Sequence, residues 1–167
     1  ASNNVAIGAA ALGANTTGTN NVMVGNSAGD AITTSNNNTG VGHDVLGANT
    51  SGDTNTAMGS TTLNTNTTGS GNTGLGYAAL TANISGGGNT AVGNACLEAN
   101  TTAANNTAVG NTALAANTTG ASNTAMGVQA LDANTTGDGN VAIGLNALGA
   151  NTTASGNTAV GDSALGT

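Results

Sequence analysis

Apolar and polar residues recur along the chain with a fixed period of 17 positions. The clearest marker is a glycine preceded by an aliphatic residue or methionine, first seen as Ile7-Gly8 and last as Val160-Gly161. Successive marker glycines are always 17 residues apart, without insertion or deletion. The chain therefore contains ten copies of one unit, N-[T/V]-A-[V/I/M/L]-G-x-x-A-L-x-A-N-T-T-G-x-x. A strict period of this kind is typical of proteins built from stacked, nearly identical coils.

Two apolar columns in the repeat predict the interior of each coil. The position before the marker glycine is apolar in all ten units, and the position four places after it is Leu in nine, with Gly29 as the exception. The position before that Leu is small in most units. We expect both apolar columns to point inward, with Ala as padding, in a narrow core where like stacks on like. The column before the glycine comprises Ile7, Val24, Val41, Met58, Leu75, Val92, Val109, Met126, Ile143 and Val160.

The remaining positions predict short strands separated by turns. The position after the marker glycine accepts residues as different as His43, Tyr77 and Asp162, which indicates a solvent-facing side chain. Pairs that close a unit, such as Ser70-Gly71 and Asp138-Gly139, have turn composition. The segments between turns are short, and their Thr, Val and Asn residues favour strands and corners, although one helical turn per coil remains an alternative. We therefore predict an all-β fold, a parallel β-solenoid (β-roll or β-helix) of ten coils.

The repeat extends over the whole chain, so residues 1–167 are predicted to form one solenoid array. The array begins and stops within a unit and has no atypical capping unit at either side. Solenoids use caps to protect the sheet edges at their ends. An uncapped array is therefore expected to be a segment of a longer fibre, or a subunit that stacks end to end into a filament.

A first column of asparagines precedes the marker glycine by four places and is present in all ten units. Identical Asn side chains at strand spacing can hydrogen-bond amide to amide along the axis, whereas a column of carboxylates would repel itself. We predict that this column forms an internal Asn ladder. Its members are Asn4, Asn21, Asn38, Asn55, Asn72, Asn89, Asn106, Asn123, Asn140 and Asn157.

A second column of asparagines follows the marker glycine by seven places, with Ile32 as the exception. Each member begins an N-x-[S/T] acceptor, so the column is predicted to lie at a corner where it is a candidate for N-glycosylation. The alternative is that the N-T-T sequence is present only because these residues favour a turn of the chain. The candidates are Asn15, Asn49, Asn66, Asn83, Asn100, Asn117, Asn134 and Asn151.

The second unit is irregular in two columns at once. It has Gly29 where Leu is expected and Ile32 where Asn is expected. We expect Ile32 to point inward and fill the space that the missing Leu leaves.

Charge excludes several classes of partner. The chain has no Lys or Arg and a net charge of −7. Nucleic acid and anionic membrane surfaces are therefore not expected to bind, because both are recognised through basic side chains. No apolar run approaches the ~18 residues that would cross a bilayer, so membrane insertion is not expected either.

The sequence offers no set of residues for catalysis, and we predict that the protein is not an enzyme and has no cofactor or metal. His43 is the single histidine and lies in the variable column. Cys96 stands in the small-residue column, where it is expected to replace Ala in the interior. Asp is sporadic, whereas calcium-binding repeats need it in every coil.

Repeated Thr raises the alternative of a surface-binding solenoid that uses a Thr/Asn lattice to bind ice or glycans. The pairs Thr16-Thr17, Thr67-Thr68, Thr118-Thr119 and Thr135-Thr136 could supply two files of hydroxyls. Adjacent residues of a strand point to opposite faces, however, so such a pair would not present both hydroxyls on one surface.

The segments Asn4-Val5-Ala6-Ile7-Gly8 and Asn140-Val141-Ala142-Ile143-Gly144 resemble the head-domain repeats of YadA-like trimeric autotransporter adhesins. Those repeats carry an N-S-V-A-I-G-type motif and form a left-handed parallel β-roll, and similar N-T-A-V-G repeats occur in bacterial surface proteins and phage tail-fibre shafts. The period here is longer, because each coil has additional residues through its A-N-T-T-G stretch. The resemblance implies a structural fibre or adhesin segment, extracellular or on the cell surface, whose partner is itself as a homotrimer or an end-to-end filament.

Overall fold

The computed structural model describes residues 1–166, which form a parallel β-solenoid of about nine turns. One sheet contains ten strands in chain order, and each strand pairs with the equivalent segment 17 residues away, for example Val5 with Val22. The all-β fold, the parallel pairing and the period are confirmed, and residues 1–166 contain no helix. The strands are β1 (Val5–Ile7), β2 (Val22–Val24), β3 (Thr39–Val41), β4 (Thr56–Met58), β5 (Thr73–Leu75), β6 (Thr90–Val92), β7 (Thr107–Val109), β8 (Thr124–Met126), β9 (Val141–Ile143) and β10 (Thr158–Val160).

The apolar column before the marker glycine points outward, so its prediction as core is wrong. In β6 the central Ala91 is fully buried, while Thr90 and Val92 lie on the outer face and are partly exposed. The reason is the two-residue alternation of a strand: Asn89 points inward, which turns Ala91 inward and Val92 outward. The column that points outward comprises Ile7, Val24, Val41, Met58, Leu75, Val92, Val109, Met126, Ile143 and Val160.

The Leu column forms the core, as predicted. Leu46, Leu63, Leu80, Leu97, Leu114 and Leu131 are fully buried and belong to one continuous cluster. The inward position of the strand must be small because the space beneath it is already occupied. A Cβ atom added to Gly74 in β5 would lie 2.6 Å from Cγ2 of Thr62 and 3.7 Å from Cδ1 of Leu63. Ala or Gly accordingly occupies this position in every strand except β2.

Left-handed backbone conformations make the turns of each coil. In the seventh coil the φ angle is 61° at Asn105, 139° at Gly110, 51° at Thr112 and 54° at Leu114, and the same positions repeat in the other coils. The marker glycine is required for a further reason: a Cβ atom at Gly110 would clash with the carbonyl oxygen of the marker glycine one coil on. Close stacking of the backbones of successive coils therefore requires glycine at this position.

In the second coil, Ile32 fills the space of the missing Leu, as predicted, and Met23 fills it as well. Ile32 is fully buried, and its Cδ1 lies 2.8 Å from the place that a Cβ on Gly29 would occupy, which confirms that it fills the missing Leu space. Met23 is also fully buried and reaches the same space, with its Cγ 3.0 Å from that place. Gly40 in the next strand leaves room for the Met23 sulfur. Met58 and Met126, expected in the core, lie on the outer face instead.

Candidate functional site

The first Asn column forms an internal ladder, as predicted. At every step the backbone N–H of one Asn donates to the Oδ1 of the Asn one coil before; Asn106 to Asn89, at 3.0 Å, is representative. Amide-to-amide bonds join several steps as well, such as Asn89 Nδ2 to Asn72 Oδ1 at 3.1 Å. The steps run through Asn4, Asn21, Asn38, Asn55, Asn72, Asn89, Asn106, Asn123, Asn140 and Asn157.

The second Asn column lies at a turn of each coil, as predicted, but its side chains point inward and form a second internal ladder. Asn117 is fully buried; its Nδ2 donates to Oδ1 of Asn100 at 3.1 Å and to the carbonyl of Gly120 at 2.9 Å. Such bonds join every successive pair from Asn49 to Asn151. The side chain thus caps the turn of its own coil and links that coil to the previous one.

This burial disfavours glycosylation of the second column. A sugar on Nδ2 would remove one of its two donor hydrogens and would have to pass through the wall of the coil. The six central candidates, Asn49, Asn66, Asn83, Asn100, Asn117 and Asn134, are fully buried, and Asn15 and Asn151 are partly buried.

A serine completes the second ladder where Ile32 interrupts it. Ser35 is 1% exposed, and its Oγ accepts hydrogen bonds from Asn49 Nδ2 and Asn38 Nδ2, both at 3.2 Å. It therefore supplies the oxygen that an Asn at position 32 would have offered to Asn49. The other units have Gly or Ala in the Ser35 column. Its coincidence with the loss of Asn in the same unit is the sequence signal that would have identified it.

The outer face of the sheet carries two regular columns of side chains, which we call the sheet face. The first residues of β1–β10 form a Thr/Val column with seven Thr, and the last residues form the apolar column. Neither column contains a charged residue. No hydrogen bond within residues 1–166 involves a hydroxyl of the Thr column, whose members are Thr39, Thr56, Thr73, Thr90, Thr107, Thr124 and Thr158.

In the Thr-Thr pairs, unlike the Thr column of the sheet face, one of the two hydroxyls is hydrogen-bonded within the protein. Thr118 Oγ1 donates to the carbonyl of Thr135, one coil on, at 3.0 Å, so the first hydroxyl of the pair is used in a hydrogen bond between coils. Thr119, the second of the pair, is exposed. The pairs therefore present one column of free hydroxyls and not two.

Among residues 1–166 the ionisable and nucleophilic side chains lie apart from one another and form no common site. His43 is exposed in the variable column, and Cys96 is fully buried in the small-residue column, both as predicted. Burial raises the pKa of the Cys96 thiol to about 12, and its Sγ donates to the carbonyl of Ala108 at 3.2 Å. Burial also raises the pKa of Asp132. Within residues 1–166 no group of three or more His, Cys, Asp or Glu side chains could hold a metal ion.

Comparison with protein-family models, curated proteins and solved structures gives no match for the chain. The part of the chain that the structure describes also has no helix long and apolar enough to cross a bilayer. The features from which a function can be inferred are therefore the coil-to-coil bonding and the sheet face.

Proposed function

We propose that the chain is a structural segment of an extracellular or cell-surface fibre, in which the stacked coils form a stiff rod. The observation that carries this proposal is the pair of internal Asn ladders, which run along the axis beside the sheet. Each coil is thereby joined to the next by strand pairing on one side and by buried amides in the wall. A fully satisfied buried polar network rigidifies a core and makes its geometry specific.

Uniform bonding between coils supports a role in spanning distance. The period is constant, so no coil has an insertion that would introduce a joint or a lateral arm. Successive coils rise by ~4.8 Å, so the nine steps between the ten strands span ~43 Å. Because all coils except the irregular second one offer their neighbours the same bonds, the rod can be lengthened by adding units. The partner of such a segment is another array of the same coils, joined end to end or, as the resemblance implies, side by side in a trimer.

Composition supports a location outside the cell. The chain lacks Lys and Arg and so has no site for trypsin-like proteases. The single thiol is buried, and the acidic residues are dispersed along the array. A surface that carries net negative charge favours solubility and opposes non-specific association.

Electron microscopy of the native source tests the proposal. Antibodies against the exposed variable column, around Tyr77, should label unbranched filaments at the cell surface. Fibre diffraction from those filaments should show an axial repeat of ~4.8 Å. Labelling confined to the cell interior, or to particles without a long axis, would contradict the proposal.

A tandem duplication of the array tests the rod independently of its location. Small-angle scattering should show a particle that doubles in length at constant cross-section, because the new coils can stack on the old. Two separate rods joined flexibly would show that the coil-to-coil bonding does not extend across added units.

A further inference from the structure

The sheet face has features that a rod does not need. Its apolar column is aliphatic or Met in all ten strands, although Met58, Met126 and Ile143, which lie within the array, are 51%, 42% and 38% exposed. Other exposed positions vary freely, as His43 and Tyr77 show in the neighbouring column. Keeping one outward column apolar in every coil leaves a long uncharged strip on the surface.

The strip is a rigid two-dimensional lattice. Equivalent side chains repeat every ~4.8 Å along the axis, and the two columns stand two residues, or ~6.6 Å, apart across the strand. Thr and Val are β-branched and stiff at χ1, so their methyl and hydroxyl groups hold fixed directions. The strands beneath are held in register by the glycine stack and the first Asn ladder, whose Asn89 and Asn106 flank successive strands.

A protein partner fits this strip poorly. Ten strands of three residues make a strip of roughly 43 Å by 10 Å, so two ten-strand arrays joined through it would bury about 900 Å² in total, below the ~1,200 Å² of a standard stable interface. The hydroxyls of Thr73, Thr90 and Thr107 would also be buried without partners unless the second protein matched them one by one, and each unpaired group costs about 1–3 kcal/mol.

Ordered water satisfies both columns at once. Water can hydrogen-bond each free hydroxyl, while it must form a cage over the methyl groups of the apolar column, because it cannot bond to them. The hydroxyl and methyl groups that order the water recur with the fixed period of the sheet, and the strip contains no charged side chain that would disrupt this order. We propose that the sheet face binds the surface of an ice crystal, with the Thr column donating and accepting hydrogen bonds and the apolar column lying against the lattice.

The test uses the whole array and a pair of matched variants. Thr90→Tyr with Thr107→Tyr places two bulky side chains on the sheet face and keeps a residue type that favours strands. Thr102→Tyr with Thr119→Tyr makes the same change in the exposed hydroxyl column of the corner, where neither residue makes a side-chain hydrogen bond. Circular dichroism and thermal melting establish that both variants fold.

Ice binding is measured as thermal hysteresis, as the shaping of single ice crystals and as uptake into a slowly growing ice hemisphere. The unaltered protein should show all three, the sheet-face variant should lose them and the corner variant should keep them. Absence of all three in the unaltered protein, or equal loss in both variants, would overturn the proposal. So would sedimentation of the unaltered protein as an oligomer that only the sheet-face variant converts to monomer, because copies of the chain would then cover the strip.

Discussion

Asn117 lies 17 residues after Asn100 and one coil further along the axis, and its Nδ2 donates to the Oδ1 of Asn100 at 3.1 Å. The other hydrogen of that Nδ2 goes to the carbonyl of Gly120, while Oδ1 accepts from Asn134 at 2.9 Å. The side chain is fully buried, so both of its donor hydrogens and its oxygen are used inside the wall. An amide fits this position because it donates on one side and accepts on the other.

Replacing Asn117 with Asp should destabilise the array strongly, although the two side chains have almost the same shape. A carboxylate would accept only, so the Gly120 carbonyl and Asn100 Oδ1 would both lose their donor and face a buried charge. We expect a loss of about 3 kcal/mol or more in the free energy of unfolding. Urea unfolding followed by circular dichroism measures it.

The matched control is Asn111→Asp, in the exposed variable column where the last coil already has Asp162. Its effect should stay within ~0.5 kcal/mol, as for most surface substitutions. Equal losses in the two variants would show that the second ladder does not stabilise the coil.

The marker glycine and a turn glycine should respond differently to the same substitution. Gly110→Ala should cost about 3 kcal/mol or more, because the new methyl group would clash with the backbone of Gly127 and φ is 139°. Gly139→Ala should cost about 1 kcal/mol, because nothing lies within 4 Å and only the left-handed φ of 64° is unfavourable. Thermal melting of both variants checks the difference; a smaller effect at Gly110 would contradict close stacking of the marker glycines.

The period alone predicts the solenoid, its parallel register and the Leu core, because identical units 17 residues apart must pair with one another. It does not predict the direction of the apolar column. Val92 is apolar and recurrent, but its direction is decided by the inward Asn89 three places before it. An exposed apolar residue is common on protein surfaces, so hydrophobicity could not determine the direction.

The inward direction of the second Asn column does not follow from the sequence, for a related reason. Asn117 starts an N-x-T motif and is followed by turn residues, which is also the composition of an exposed corner. The structure shows that the amide folds back across the turn to the carbonyl of Gly120 and thereby points inward. A side chain that bonds to its own turn has the same local sequence whether the turn is open to solvent or closed over a core.

The irregular second coil should be convertible to the consensus by a concerted change. Met23→Ala, Gly29→Leu, Ile32→Asn and Ser35→Gly together restore the usual core and a continuous second ladder. We expect the combined variant to melt at or above the temperature of the unaltered protein. Gly29→Leu alone should melt lower, because its side chain would meet Ile32 and Met23 in space that they already fill. A combined variant less stable than Gly29→Leu would show that the four positions do not compensate one another.

Cys96 should be inert in the folded protein and should make stability depend on alkaline pH. Its thiol is fully buried, and burial raises its pKa from 9.0 to about 12. Since the thiolate is the reactive form, alkylating reagents should modify Cys96 at mildly alkaline pH only after urea unfolds the chain. Fast modification of the native protein would contradict the burial.

The raised pKa also fixes the direction of the pH effect. Between pH 9.0 and about 12 the unfolded thiol loses its proton while the folded thiol keeps it. The unfolded state then binds fewer protons, so stability falls as pH rises through this range, whereas below pH 9.0 the contribution is fully present. Cys96→Ala introduces the residue that most other coils have at this position and lacks the titrating group, while Tyr77 is present in both proteins. The urea midpoint of the unaltered protein should therefore decline relative to that of Cys96→Ala as pH is raised above 9.0, and parallel curves would contradict the buried, protonated thiol.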